Sequence, residues 1–181
     1  EKEIIKIKPD IAHIHNTFPL WTFSVLDACN KLKIPVVMTA HNFRLICAKG
    51  VFYKNQQICE KCLWSSSFNA VKYGCFQNSI IKSIPVSFMI NKTNRGLNII
   101  NKLNKLIVLT NFVKKKFLEA KFPENKIIIK PNFISKKFNI EIKQKKRDFI
   151  YASRLSEEKG IIDLINAHKK FKFNLKICGD G

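Results

Sequence analysis

A chain of 181 residues that is 46% hydrophobic is long enough to bury a core and too apolar to stay disordered. Its formal charge of +20, from 33 Lys and Arg against 13 Asp and Glu, suits nucleic acid, an anionic membrane surface or an anionic substrate. Much of that charge is Lys scattered among Asn and Ile, a compositional bias that does not choose between these partners.

No apolar run approaches the ~18 residues of a membrane span, and no signal peptide is visible. Six cysteines without a secretory marker point to a reducing compartment, hence a cytoplasmic protein. Glu1 in place of a starting Met, and Gly179-Asp180-Gly181 at the other end, read as two cut ends.

Lys8-Pro9-Asp10 closes an incoming segment, and residues 11–16 read as a short strand carrying His13 and His15. Residues 19–33 have helix length, with Trp21, Val25, Leu26, Cys29 and Leu32 near 3.6 spacing. Ile34-Pro35 ends that helix. The continuous apolar run over 36–39 is the pattern of a strand buried on both faces of a parallel sheet. Thr39-Ala40-His41-Asn42 then falls at the carboxyl end of this strand, where open α/β sheets bind ligands. With His13 and His15 on the preceding strand, His41 becomes a candidate site residue rather than a packed or idle histidine.

From 43 to 76 the period is lost, and Lys49-Gly50 and Asn55-Gln56 suggest a hairpin-like excursion. Cys47, Cys59, Cys62 and Cys75 follow one another with eleven, two and twelve residues between them. The Cys59-x-x-Cys62 step is a zinc-knuckle spacing, and the two outer thiols complete four ligands for a structural zinc. The competing reading is four thiols packed as small hydrophobes.

Residues 78–101 read as mostly helical with an interruption near Pro85. A buried strand over 106–109 ends in Thr110-Asn111, which caps a helix running to Lys121. A fourth strand over 127–129 is closed by Lys130-Pro131-Asn132, and the Lys-rich segment that follows reads as a linker. Residues 149–152 begin again with a strand. A polar loop with Arg154, Ser156 and Lys159 leads into a helix from Gly160, with Ile161, Leu164, Ile165 and His168 on one face, and 175–178 start another strand. Strand, loop and helix N-terminus present N–H groups to an anion, and two cations sit in this loop. Solvated surface charges are the plainer reading of each cation.

Several of these pieces occur together in one order. They are Ile14-His15-Asn16, Thr39-Ala40-His41-Asn42-Phe43-Arg44-Leu45 with Cys47, Cys59-Glu60-Lys61-Cys62, Pro131-Asn132, Ser153-Arg154-Leu155 with Glu158-Lys159-Gly160, and Gly179-Asp180-Gly181. In this the chain resembles the family-4 glycosyltransferases, of the two-Rossmann-domain GT-B type. The resemblance implies an α/β fold: a Rossmann-like parallel-sheet domain over residues 1–135 with a Cys-rich insertion at 43–76, a linker over 136–147, and the β-α-β start of a second Rossmann-like domain over 148–181. It also implies a retaining transferase that uses a nucleotide-sugar donor, UDP- or GDP-linked, and a glycan or lipid-linked acceptor in cell-surface polysaccharide synthesis. Arg154 and Lys159 would hold the donor diphosphate and His41 would face the donor sugar. His15 and Asn16 would lie on the sugar or acceptor side. The chemistry needs no metal or other cofactor. The family's glycine-rich first loop would fall before Glu1, and its Glu-x7-Glu pair beyond Gly181, so the chain is expected to be an inactive fragment on its own.

A different class, a basic zinc-stapled nucleic-acid-binding module, would use the charge, the cysteines and the 15 Phe. Those Phe sit mainly at core-like periodic positions, and no run joins aromatics to cations as a stacking platform would, so no nucleic acid is expected. Peripheral attachment to the inner face of a membrane is compatible with the transferase reading, with Lys114-Lys115-Lys116 and Lys136-Lys137 as the basic patch.

Overall fold

In the computed structural model, which describes residues 1–16, 23–95, 98–134 and 148–181, the incoming segment is a short helix, α1 (Lys2–Ile7). Lys8 closes it in the left-handed conformation, φ 49°. There follow β1 (Ala12–His15), α2 (Ser24–Lys31) and β2 (Val36–Ala40). The expected helix over 19–33 is α2; residues 17–22 lie outside the described ones. The insertion holds β3 (Tyr53–Lys54), β4 (Gln57–Ile58), α3 (Lys61–Trp64) and α4 (Asn69–Lys72), and α5 (Ile80–Arg95) and α6 (Asn98–Lys102) follow it. The β3–β4 hairpin turns at Asn55 and Gln56, both at positive φ (50° and 60°), as a two-residue turn matched to strand twist requires.

After α6 come β5 (Lys105–Val108), α7 (Asn111–Glu119), a 3-10 turn at Glu124–Lys126 and β6 (Ile127–Ile129). These strands form one sheet in the order β1-β2-β5-β6, parallel throughout. The chain divides into two compact units, Glu1–Lys54 with Ile58–Phe133, and Ile134–Gly181 with Asn55–Gln57. The fold is the Rossmann-like α/β arrangement read from the sequence. The expected linker segment, including Lys136 and Lys137, lies outside the described residues.

The core of the first unit is the apolar sheet surface and the helices on it. Val36 and Val108 are fully buried, as are Leu26 of α2 and Phe117 of α7 to within 1%. Burying such a side chain stabilises by roughly 1.5–3 kcal/mol, which is why the continuous apolar runs settle in the sheet interior. Thr110 caps α7 as expected, its hydroxyl accepting from the Val113 N–H at 3.2 Å. Phe117 packs edge-on to Phe122 with ring centroids 4.9 Å apart.

Two expectations are corrected here. No interruption occurs at Pro85, because α5 runs through it. Pro85 faces solvent, so the Ile81 carbonyl that it cannot serve lies where water reaches it. The run Lys114-Lys115-Lys116 is not a free basic patch. Lys116 is buried between Glu60 (2.7 Å) and Glu119 (2.8 Å), and Lys114 is paired with Glu124 at 2.7 Å.

In the second unit β7 (Phe149–Ala152) and β8 (Leu175–Cys178) pair in parallel across α8 (Ile161–Phe171), a β-α-β unit. A 3-10 turn at Glu157–Lys159 leads into α8. Gly179 and Gly181 close on the loop after β7. A Cβ at Gly179 would stand 1.8 Å from the Ser153 carbonyl oxygen, and one at Gly181 would stand 2.4 Å from that of Leu155. The Gly-Asp-Gly sequence is therefore a steric requirement of this turn.

Candidate active site

β1 and β2 are in register with His15 opposite Thr39. Alternation along β1 buries Ile14 and puts His13 and His15 on one face. His13 Nε2 lies 2.8 Å from Thr39 Oγ1, and His15 Nδ1 lies 2.7 Å from Nε2 of His41, the residue that follows β2. The ring centroids run 4.2 Å from His13 to His15 and 5.1 Å from His15 to His41. One N–H must be shared between the facing nitrogens of His15 and His41, so each ring fixes the tautomer of the other. His13 is held below the ordinary histidine value, first by desolvation of the ring, then by the nearby His15, Lys130 and His41.

These rings open on a cavity of about 280 Å³ that Lys130, Asn132 and Phe133 also line, with no carboxylate on its walls among the described residues. A second cavity of about 180 Å³ is lined by His41 together with Asn16, Asn42 and Arg44. Asn42 Nδ2 donates to Asn16 Oδ1 at 3.4 Å, and Asn42 Oδ1 accepts from the Arg44 N–H at 2.9 Å. His41, His15 and Asn16 are thus neighbours. Thr39 and Lys130 also belong to this site, although the sequence reading used them only to mark strand ends. The signal was available: Lys130 follows β6 as His41 follows β2, so both stand at the carboxyl edge of one parallel sheet.

Arg154 and Lys159 lie in the second unit, in the loop between β7 and α8. The Arg154 side chain is 74% exposed and stands 3.6 Å from Glu158. The Tyr151 hydroxyl lies 3.2 Å from the Lys159 carbonyl oxygen and 3.4 Å from that of Arg154, tying the loop backbone to β7. Gly160, at φ 70°, turns this loop into α8.

Cys47, Cys59, Cys62 and Cys75 are all reduced. Cys62 and Cys75 pack on a small core of Ala48, Ala70, Val86 and Ile90. Burial first, then the charges of Cys47, Cys75 and Cys59, push the Cys62 thiol up to about 12. Burial likewise raises that of Cys75, with Cys47 and Cys59 adding to it. Among the described residues no three His, Cys, Asp or Glu side chains stand together as metal ligands. Phe52, Phe117 and Phe122 are buried in the main core, not presented as a stacking platform.

A parallel α/β domain with polar and cationic side chains gathered at the carboxyl ends of its strands defines a ligand-binding domain of the Rossmann-like class. The chain belongs to glycosyltransferase family 4, whose family model matches residues 1–138. It is thus a glycosyltransferase, acting between a sugar donor and an acceptor. No curated protein and no solved structure matches it. No helix among the described residues is long and apolar enough to cross a membrane.

Proposed function

We propose that this glycosyltransferase takes its sugar from a UDP- or GDP-linked donor and transfers it, with retention, to a glycan or lipid-linked acceptor in cell-surface polysaccharide synthesis. The observation that carries this reading is the His13-His15-His41 cluster, which lies within the residues that match the family and opens on a cavity that Lys130 also lines. His41 faces the donor sugar there, with His15 and Asn16 on the sugar or acceptor side. Arg154 and Lys159, together with the N–H groups at the start of α8, hold the donor diphosphate.

The chemistry fits these residue types. The bond from the sugar's anomeric carbon to the diphosphate oxygen breaks as the bond to the acceptor oxygen forms. The acceptor's proton passes to the departing phosphate. Negative charge grows on that phosphate, where preorganised cations and N–H donors stabilise it most. No protein nucleophile is required. Incubating the full-length enzyme that contains this chain with UDP- and GDP-sugars and a mixture of glycan and polyprenyl-phosphate acceptors is expected to give a glycosylated product with retained anomeric configuration by NMR. If the product has inverted configuration, or if only a non-nucleotide donor is used, the reading fails.

In the insertion we propose a structural zinc that would draw together Cys47, Cys59, Cys62 and Cys75, which do not stand as a formed ligand set among the described residues. The Cys59-x-x-Cys62 spacing, with two further thiols in the same insertion, is what supports this reading. Protein purified without chelator is expected to carry about one zinc per chain, and removing it should lower the melting temperature. Zinc-free protein with an unchanged melting temperature would leave the thiols as packing groups only. The protein would work at the cytoplasmic face of a membrane.

A further inference from the structure

Helix α5 carries its polarity reversed. Its buried face includes Ser83 and Ser87, both 0% exposed, beside Val86 and Ile90. Ser83 Oγ donates to the Ser79 carbonyl at 2.6 Å, but Ser87 Oγ and the nearby buried Ser67 Oγ have no hydrogen-bond partner among the described residues. The outward face has the opposite character. Ile81 (78% exposed), Ile84 (40%) and Phe88 (51%) line up with Pro85 at helical spacing, and Phe68 of the α4 N-terminus packs edge-on to Phe88 at 5.2 Å. A helix folded only for water would place these residues the other way round.

The charge around the stripe limits what can cover it. Lys72 and Lys82 flank it, and between residues 59 and 91 the one acid is Glu60, already bound to Lys116 at 2.7 Å. A second copy of the same face would bring Lys against Lys, so the charge favours an anionic occupant. The side chains of the stripe are Ile, Pro and Phe, none with a hydrogen-bonding group, which suits the acyl boundary of a bilayer. We propose that Ile81, Ile84, Pro85 and Phe88 of α5, with Phe68 and the flanking Lys72 and Lys82, form the surface by which this protein docks on an anionic lipid bilayer. The proposal rests on the peripheral-membrane part of the reading above and moves the contact to α5, away from the paired Lys114 and Lys116.

The test is co-sedimentation of the whole chain with vesicles of phosphatidylglycerol and phosphatidylcholine, against vesicles of phosphatidylcholine alone. Wild type is expected to partition onto the anionic vesicles and to be released by salt. The double variant Ile81→Asp/Phe88→Asp should partition at least tenfold more weakly, with an unchanged melting temperature because both side chains are exposed. Lys72→Glu/Lys82→Glu should weaken binding while leaving the stripe intact. Binding retained by both double variants but lost in Lys115→Glu would overturn the α5 surface and leave peripheral attachment standing. No binding of wild type would overturn both, while the transfer assay still judges the enzymatic reading separately. A concentration-dependent dimer in sedimentation velocity, abolished by Ile81→Asp/Phe88→Asp, would assign the stripe to a second copy and overturn the lipid proposal.

Discussion

In the full-length enzyme, replacing Arg154 by alanine is expected to slow sugar transfer by roughly 30- to 1000-fold, about 2–4 kcal/mol of lost transition-state stabilisation. The size follows from the charge that grows on the departing diphosphate and from the loss of one preorganised cationic donor facing it. The melting temperature should hardly move. Arg154 is 74% exposed, and its contact with Glu158 at 3.6 Å is a surface pair of the kind worth at most about 1 kcal/mol. Arg154→Lys should recover only part of the rate, since a point-like ammonium cannot bind two phosphate oxygens in a fork. Steady-state transfer from a nucleotide-sugar, with thermal unfolding measured alongside, separates the cases. Equal rates for wild type and Arg154→Ala would remove Arg154 from the diphosphate site. A slowed rate with a matching fall in melting temperature would make it a structural residue of the loop instead.

What the sequence made legible is the part of the fold that obeys short-range rules. The apolar runs at β2 and β5 are continuous because parallel strands are covered on both faces, and such runs need no partner to be recognised. Thr110 announces α7 because an N-cap acts within four residues. The candidate site was half legible. His15 and His41 could be placed at strand ends, but their 2.7 Å approach depends on the register of β1 against β2, which no local pattern fixes.

The two corrections have the same origin. A run of three lysines looks basic along the chain, yet Glu60, far away in sequence, neutralises Lys116. Proline reads as a break, yet α5 carries Pro85 on an exposed face where the lost hydrogen bond is cheap. The reversed polarity of α5 was invisible for a further reason: an apolar stripe at helical spacing is ordinarily the buried one, and only three-dimensional packing shows that here the serines took the inside.

Phe117→Ala should be the most damaging single truncation in the first unit among those considered, lowering its unfolding free energy by about 3–5 kcal/mol. Phe117 is fully buried on α7, edge-on to Phe122 at 4.9 Å and 6.5 Å from the Phe43 ring. Phe43 follows directly on His41 and Asn42, so this aromatic group couples the helix layer to the segment that carries the candidate site. Removing the ring loses its transfer free energy and leaves a void that a close-packed core fills only in part. The control is Phe112 on the same helix, 59% exposed, where truncation should cost less than about 1 kcal/mol. Urea unfolding of the two variants, followed by circular dichroism, gives the comparison. If Phe112→Ala is as destabilising as Phe117→Ala, or if Phe117→Ala costs under about 1 kcal/mol, then α7 does not pack on the sheet through Phe117. A loss at Phe117 in the expected range, with a broadened His41 imidazole resonance in the folded variant, would show that the order of the histidine cluster depends on the packing beneath it.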